Sequence, residues 1–157
     1  MNAQILDVAC GARMFWFNKR DPRVTFCDNR RVSETLCDGR ALEINPDVLC
    51  DFKALPFPDE SFSLVVFDPP HLKRAGKKGW QAKKYGVLSE DWQGELRQGF
   101  RECFRVLSPC GTLIFKWSEV QIPLRDVLPL AGQTPLFGDR GHGRGTRWVV
   151  FWKEAAP

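Results

Sequence analysis

Apolar, β-branched and aromatic residues come in short runs at positions 5–9, 24–27, 62–67, 111–117 and 147–152, each bounded by Gly, Pro, Asp or Asn. That pattern predicts five strands. The third and fourth runs (SFSLVVF and GTLIFKW) are nearly unbroken instead of alternating, which predicts strands buried on both sides beneath helices. Between them, residues 90–107 place Trp92, Leu96, Phe100, Phe104 and Leu107 three or four positions apart. This is the period of an amphipathic helix, with Ser89 as its N-cap and Ser108 and Pro109 as its stop. Residues 14–19 and 122–130 predict two further short helices, the second limited by Pro123 and Pro129. A basic stretch from Lys73 to Lys84 and a Gly/Arg stretch from Gly138 to Arg147 predict loops. Alternating strands and helices imply an α/β fold, a mostly parallel sheet with helices on both faces, whose ligands bind outside the carboxyl ends of the strands.

Composition narrows this picture. A chain of 157 residues, 43% hydrophobic and 27% charged, suits one globular domain over residues 1–157 and excludes a disordered tail or a fibre. No apolar run approaches the roughly 20 residues of a membrane span, and the N-terminus lacks a basic leader and cleavage site, so a cytoplasmic location is expected. The six cysteines form no C-x-x-C pair, which predicts reduced thiols packed as small hydrophobes. With two histidines in the chain, no metal site is expected. A net charge of +4 is too mild to assign a nucleic-acid partner by itself.

The candidate chemistry lies just after the predicted strands. Residues 5–11 run into a turn of small residues, Ala9-Cys10-Gly11, which lets a ligand approach the backbone; a purely structural turn accounts for the same residues. The second strand ends at Asp28, an acid at about the 20-residue distance from a glycine turn that suits a ribose, or else a solvated turn residue. Asp51 followed by Phe52 can accept from an adenine amino group and cover the base, or cap a loop. The most specific element is Asp68-Pro69-Pro70-His71 at the end of the third predicted strand. Its two prolines fix φ and remove two N–H donors, leaving a carbonyl and a carboxylate as acceptors for an exocyclic amine, with the His71 ring placed to stack on a flat base. Lys73, Arg74, Lys77, Lys78, Lys83 and Lys84 put six cations in twelve residues without an acid, with Trp80 inside and Tyr85 just after. Such a loop contacts phosphates and stacks on bases, or is a solvated basic surface. Arg140, Arg144 and Arg147 form a second phosphate clamp or a flexible hairpin, and His142 reads as a loop residue.

The order of glycine turn, Asp28, Asp51-Phe52 and Asp68-Pro69-Pro70-His71 resembles the class I S-adenosylmethionine-dependent methyltransferases. In particular it is similar to their amino-methylating branch, whose signature is Asp/Asn/Ser-Pro-Pro-aromatic. Residues 51–70 carry the closest match, and the order of the whole chain resembles small methyltransferase-like proteins of phages and prophages. The resemblance implies a Rossmann-like fold and S-adenosylmethionine as cofactor. It places Asp7, Ala9, Cys10 and Gly11 at the methionine side, Asp28 at the ribose, Asp51 and Phe52 at the adenine, and Asp68 between cofactor and target amine with Pro69, Pro70 and His71. The implied activity is methyl transfer to the exocyclic amine of a nucleic-acid base, adenine N6 in DNA being favoured. An RNA or small-amine methyltransferase and an inactive cofactor-binding module are the alternatives. Arg13 stands where the family has a small residue, and is expected either to reach the cofactor carboxylate or to narrow the pocket. Only four residues precede Ile5, so a second copy or a partner subunit is expected to complete the pocket.

Overall fold

The computed structural model describes residues 4–76, 79–141 and 143–155. In chain order the strands are β1 (Ile5–Asp7), β2 (Val24–Asp28), β3 (Val32–Thr35), β4 (Ala41–Ile44), β5 (Val48–Leu49), β6 (Phe62–Phe67), β7 (Leu107–Ser118), β8 (Phe137–Gly138) and β9 (Thr146–Trp152). The helices are α1 (Trp80–Tyr85), α2 (Trp92–Val106) and α3 (Leu124–Val127), the last running into a 3₁₀ turn at Leu128–Ala131. Seven strands form one sheet in the order β5-β2-β1-β6-β7-β9-β8, and β3 and β4 form a separate hairpin. The first five strands of the sheet are parallel, and β9 and β8 close its edge antiparallel. This is the mostly parallel, Rossmann-like α/β sheet that the sequence predicts. No helix among the described residues is long and apolar enough to cross a membrane.

Strand β6 is nearly continuously apolar because it pairs with β1 on one side and β7 on the other. Leu6, Val65, Phe67, Leu113, Phe115 and Phe151 share one face of the sheet and form the main core with Leu96, Phe100 and Cys103 of α2. Phe100 lies 5.3 Å from Phe67 and 4.8 Å from Phe115 between ring centroids. Gly99 makes this closeness possible, since a Cβ there would fall 2.7 Å from Phe67 and 2.8 Å from Phe52.

Both ends of α2 differ from expectation. Asp91, not Ser89, is the N-cap, its carboxylate accepting from the Gly94 N–H at 3.1 Å. At the other end Ser108 and Pro109 do not stop the chain but begin β7. The Lys153 ammonium caps the last turn by donating to the carbonyls of Phe104 (2.8 Å) and Leu107 (2.5 Å).

The helices do not cover both faces. Among the described residues the opposite face, with Ile5, Val24 and Phe26, carries no helix; residues 13–20 cross it as a chain of turns. The helix expected at residues 14–19 fails for a physical reason. Arg13 enters at φ +55°, outside helical space, and its guanidinium takes the carbonyls of Lys19 (2.6 Å) and Asn45 (2.7 Å) while stacking on Phe26. Trp16 then meets Phe26 and Phe15 meets Trp148 edge-on. The predicted loop from Lys73 to Lys84 contains α1, which buries no residue, and residues 122–130 form α3 and the 3₁₀ turn within the bounds set by Pro123 and Pro129.

Candidate active site

The carboxyl ends of β1, β2, β6 and β7 open into a cavity of about 280 Å³, just under the range of about 300 to 1,000 Å³ usual for ligand pockets. Three segments that the sequence singled out meet there: Ala9, Cys10 and Gly11; Asp28; and Asp68 through His71. Phe52, Lys84 and Tyr85 join them, together with Met14, Phe15, Arg30 and Lys116, which it did not.

Gly11 turns the chain at φ +49°, a conformation that side chains other than glycine rarely adopt. Its N–H donates to Asp28 Oδ2 at 2.9 Å. The other Asp28 oxygen accepts from both the backbone N–H (3.0 Å) and Nε (3.1 Å) of Arg30. Asp28 is therefore fixed and almost wholly buried, with acceptor capacity remaining on Oδ2. Cys10 lines the pocket as a thiol: burial, helped by Asp7 and Asp28, pushes it up to about 12. All six cysteines are free.

Asp7 lies fully buried behind the turn, outside the pocket lining. It accepts from the Trp16 indole at 2.7 Å and the Ala9 N–H at 3.3 Å. Burial, with smaller contributions from Asp68 and Asp28, raises its carboxyl to about 7 against the lowering by those two donors. Asp51 also lies outside the lining, its carboxylate accepting from the Lys53 N–H at 2.9 Å and pairing with the Lys53 ammonium at 3.5 Å. Phe52 does line the cavity and packs edge-on against Phe67. Arg13 is committed to backbone carbonyls and Asp47, so it neither reaches into the pocket nor narrows it.

Strand β6 delivers Asp68 to the pocket floor, and the pairing of Phe67 with Phe115 sets it beside Lys116. The Lys116 ammonium donates to Asp68 Oδ2 at 2.7 Å and lies beside the edge-on pair of Phe15 and Trp148, 5.3 and 5.8 Å from their centroids. Burial raises the Asp68 carboxyl above the ordinary carboxylate value, and Lys116 opposes it. The same burial, with Lys116, holds the His71 imidazole below its ordinary value and so favours a neutral ring. That ring lies 5.3 Å from Tyr85 and 6.3 Å from Trp117.

The basic stretch is divided. Lys84 reaches the pocket. Lys83 pairs with Glu34 at 2.8 Å, and its carbonyl accepts from Arg30 at 2.9 Å, which ties the end of α1 to β3 and to Arg30 beside the pocket. The backbone N–H groups of Lys73 and Arg74 bind Gln121, and the Lys73 ammonium lies over Trp92. Lys77 and Lys78 fall outside the described residues, as does His142. Arg147 pairs with Glu119 at 2.9 Å and donates to the Gly143 carbonyl, so it ties its own hairpin. Lys116 left a signal in the sequence, a lone charge inside GTLIFKW; Arg30, two residues beyond Asp28, left none that distinguishes it from other surface arginines.

No protein-family profile matches the sequence, and no curated protein matches it. Solved structures do match its shape. A Pyrococcus horikoshii protein superposes with a TM-score of 0.58 at 18% identity over 96% of this chain and 81% of its own. A SAM-dependent methyltransferase from Methanosarcina mazei gives 0.57 at 12% identity over 97% and 92%. The N-methyltransferase NodS of Bradyrhizobium japonicum gives 0.58 at 14% identity over 96% and 85%. The chain has the fold of the class I SAM-dependent methyltransferases.

Proposed function

We propose that the chain is an S-adenosylmethionine-dependent N-methyltransferase whose acceptor amine is held by Asp68 and the Pro69 carbonyl. The observation that carries this reading is the meeting of Asp68-Pro69-Pro70-His71 with the Gly11 turn and Asp28 in one cavity of a methyltransferase fold. The residues present fit the cofactor: Gly11 opens the backbone, Asp28 keeps acceptor capacity for a ribose hydroxyl, and Phe52 offers an apolar wall. When bound, S-adenosylmethionine supplies a sulfonium methyl group. The chain supplies orientation. Asp68 and the Pro69 carbonyl accept the amine's two N–H bonds, which draws its nitrogen toward tetrahedral geometry and frees its lone pair. His71, favoured in its neutral form, presents a flat ring to the group bearing the amine.

The favoured acceptor is the exocyclic amine of a nucleic-acid base, adenine N6 in DNA first, because Lys84 and Tyr85 border the same cavity as His71. A small-amine or RNA acceptor is the second reading. Its small-amine form is favoured by the commitment of Lys83 to Glu34, which removes a cation from the phosphate-binding set. Incubation with methyl-labelled cofactor and separate pools of DNA, RNA and metabolites, followed by mass spectrometry, decides between them. Label on an amine of any pool supports the proposal, and no labelled amine in any pool contradicts it. The same assay on Asp68→Ala is expected to fall about a hundredfold to a thousandfold, as for loss of one preorganised hydrogen-bonding group at a reacting centre.

A further inference from the structure

Lys116 is the one cation that touches Asp68 among the described residues, and nothing in the amine-binding reading requires it. Its Nζ donates to Oδ2 at 2.7 Å and lies against the Phe15–Trp148 ring pair, 5.3 and 5.8 Å from the two centroids, which limits where that charge can stand. Both partners are only about a fifth to a quarter exposed, the side chains at 24% and 21%, so the pair is shielded from solvent while still facing the cavity. The other acid in the lining, Asp28, is already engaged by Arg30.

We propose that Lys116 is a specificity-determining residue that restricts the Asp68 site to uncharged amines, aromatic or amide-like, and bars amines that arrive as ammonium ions. This rests on the reading that Asp68 receives the acceptor. Asp68 brings one negative charge and Lys116 balances it, so an alkylammonium ion would stand as a second cation beside the first with no free carboxylate to offset it. An uncharged amine meets no such repulsion and donates to Oδ1, which Lys116 leaves open. The ion pair also favours the ionised form of Asp68 against the burial that opposes it. The charged and titratable groups around Asp68 are Lys116 from β7, Asp7 from β1 and His71 on its own turn, with Cys10, Asp28 and its partner Arg30, Lys84 and Tyr85 elsewhere in the cavity lining. Of the cations among them, Lys116 is the one in contact with the Asp68 carboxylate.

The test needs no turnover. In the full chain with carboxyl-¹³C aspartate, the Asp68 resonance is assigned by its absence in Asp68→Asn. It is then followed with pH and with added n-butylammonium at pH 7 in wild type, Lys116→Met, Lys116→Gln and Lys116→Arg. In Lys116→Met and Lys116→Gln, Asp68 is expected to need about tenfold lower proton concentration to ionise, one pKa step, and its resonance to respond to butylammonium. Wild type and Lys116→Arg are expected to ionise more readily and to ignore butylammonium. Two variants of different polarity keep the comparison available if one does not fold. Equal titration in all four, or a wild-type response to butylammonium as large as that of the variants, overturns the proposal. A protein that methylates no amine defeats the function proposed above and leaves these titrations to stand or fall separately.

Discussion

On one face of the sheet, α2 lays Leu96, Phe100 and Cys103 against Phe67, Phe115 and Phe151; on the other, residues 13–20 cross Val24, Phe26 and Trp148 without a helix. The first face is held by aromatic packing. The second has isolated aromatic contacts, Trp16 on Phe26 and Phe15 on Trp148, positioned by a few polar ties, Trp16 to Asp7 and Arg13 to the Lys19 and Asn45 carbonyls. Both faces support the same cavity, since Phe52 reaches it from the α2 side and Met14 and Phe15 from the other. One cavity thus rests on two kinds of order, and they should fail differently. Packing is lost with volume; polar ties respond to charge and pH.

The largest effect should come from the packed face. Phe100→Ala empties the centre of the aromatic cluster and is expected to cost about 3 to 5 kcal/mol, measured by urea unfolding. A loss below about 1 kcal/mol would mean that α2 is not the main prop of the sheet.

The second effect tests the polar face by pH. Asp7 has its carboxyl raised from 3.8 to about 7 by burial. Between those two values the folded chain holds a proton that the unfolded chain has released, so this residue makes stability fall as pH rises through that window, by at most roughly 4 kcal/mol. Above pH 7 the loss is complete. Asp7→Asn carries no such charge and is expected to flatten that part of the stability profile and to be relatively more stable at pH 8 than at pH 4. Parallel profiles for variant and wild type would remove Asp7 from the account.

A smaller effect is expected at Arg13, where Ala frees two carbonyls and uncovers Phe26 at a cost of about 2 kcal/mol. Because the loop carries Met14 and Phe15 to the cavity, the same variant should weaken cofactor-product binding without changing Asp28 itself. Unchanged stability and binding would show that the loop is held by Trp16 alone.

The packed face was legible because burial writes itself as periodicity. The runs at 24–27, 62–67 and 147–152 and the stripe of α2 lie within one or two residues of the observed elements. The two-residue strands β5 and β8 are too short to carry a pattern. The β3–β4 hairpin carried a turn signal, Asp38-Gly39 with Gly39 at φ +83°, that the apolar runs alone do not register. The 13–20 loop was misread as a helix because its fate depends on where Arg13 finds carbonyls, one of them on Asn45, far along the chain. The site divides in the same way. Gly11, Asp28 and Asp68 through His71 stand at strand ends and are visible as motifs. Lys116 belongs to the site only through the β6–β7 register, and Asp51 is drawn away by its own neighbour Lys53, neither of which a linear pattern contains.

On the proposed function, Asp28 and Asp68 share one cavity but serve different partners, the first the cofactor and the second the amine. Titration calorimetry with S-adenosylhomocysteine on wild type, Asp28→Ala and Asp68→Ala tests it most directly. Wild type is expected to bind. Asp28→Ala should lose about 1.5 to 3 kcal/mol, or about tenfold to a hundredfold or more in affinity, while Asp68→Ala changes little. A folded wild type that does not bind, or an Asp28→Ala protein that binds as tightly as wild type, would contradict the account.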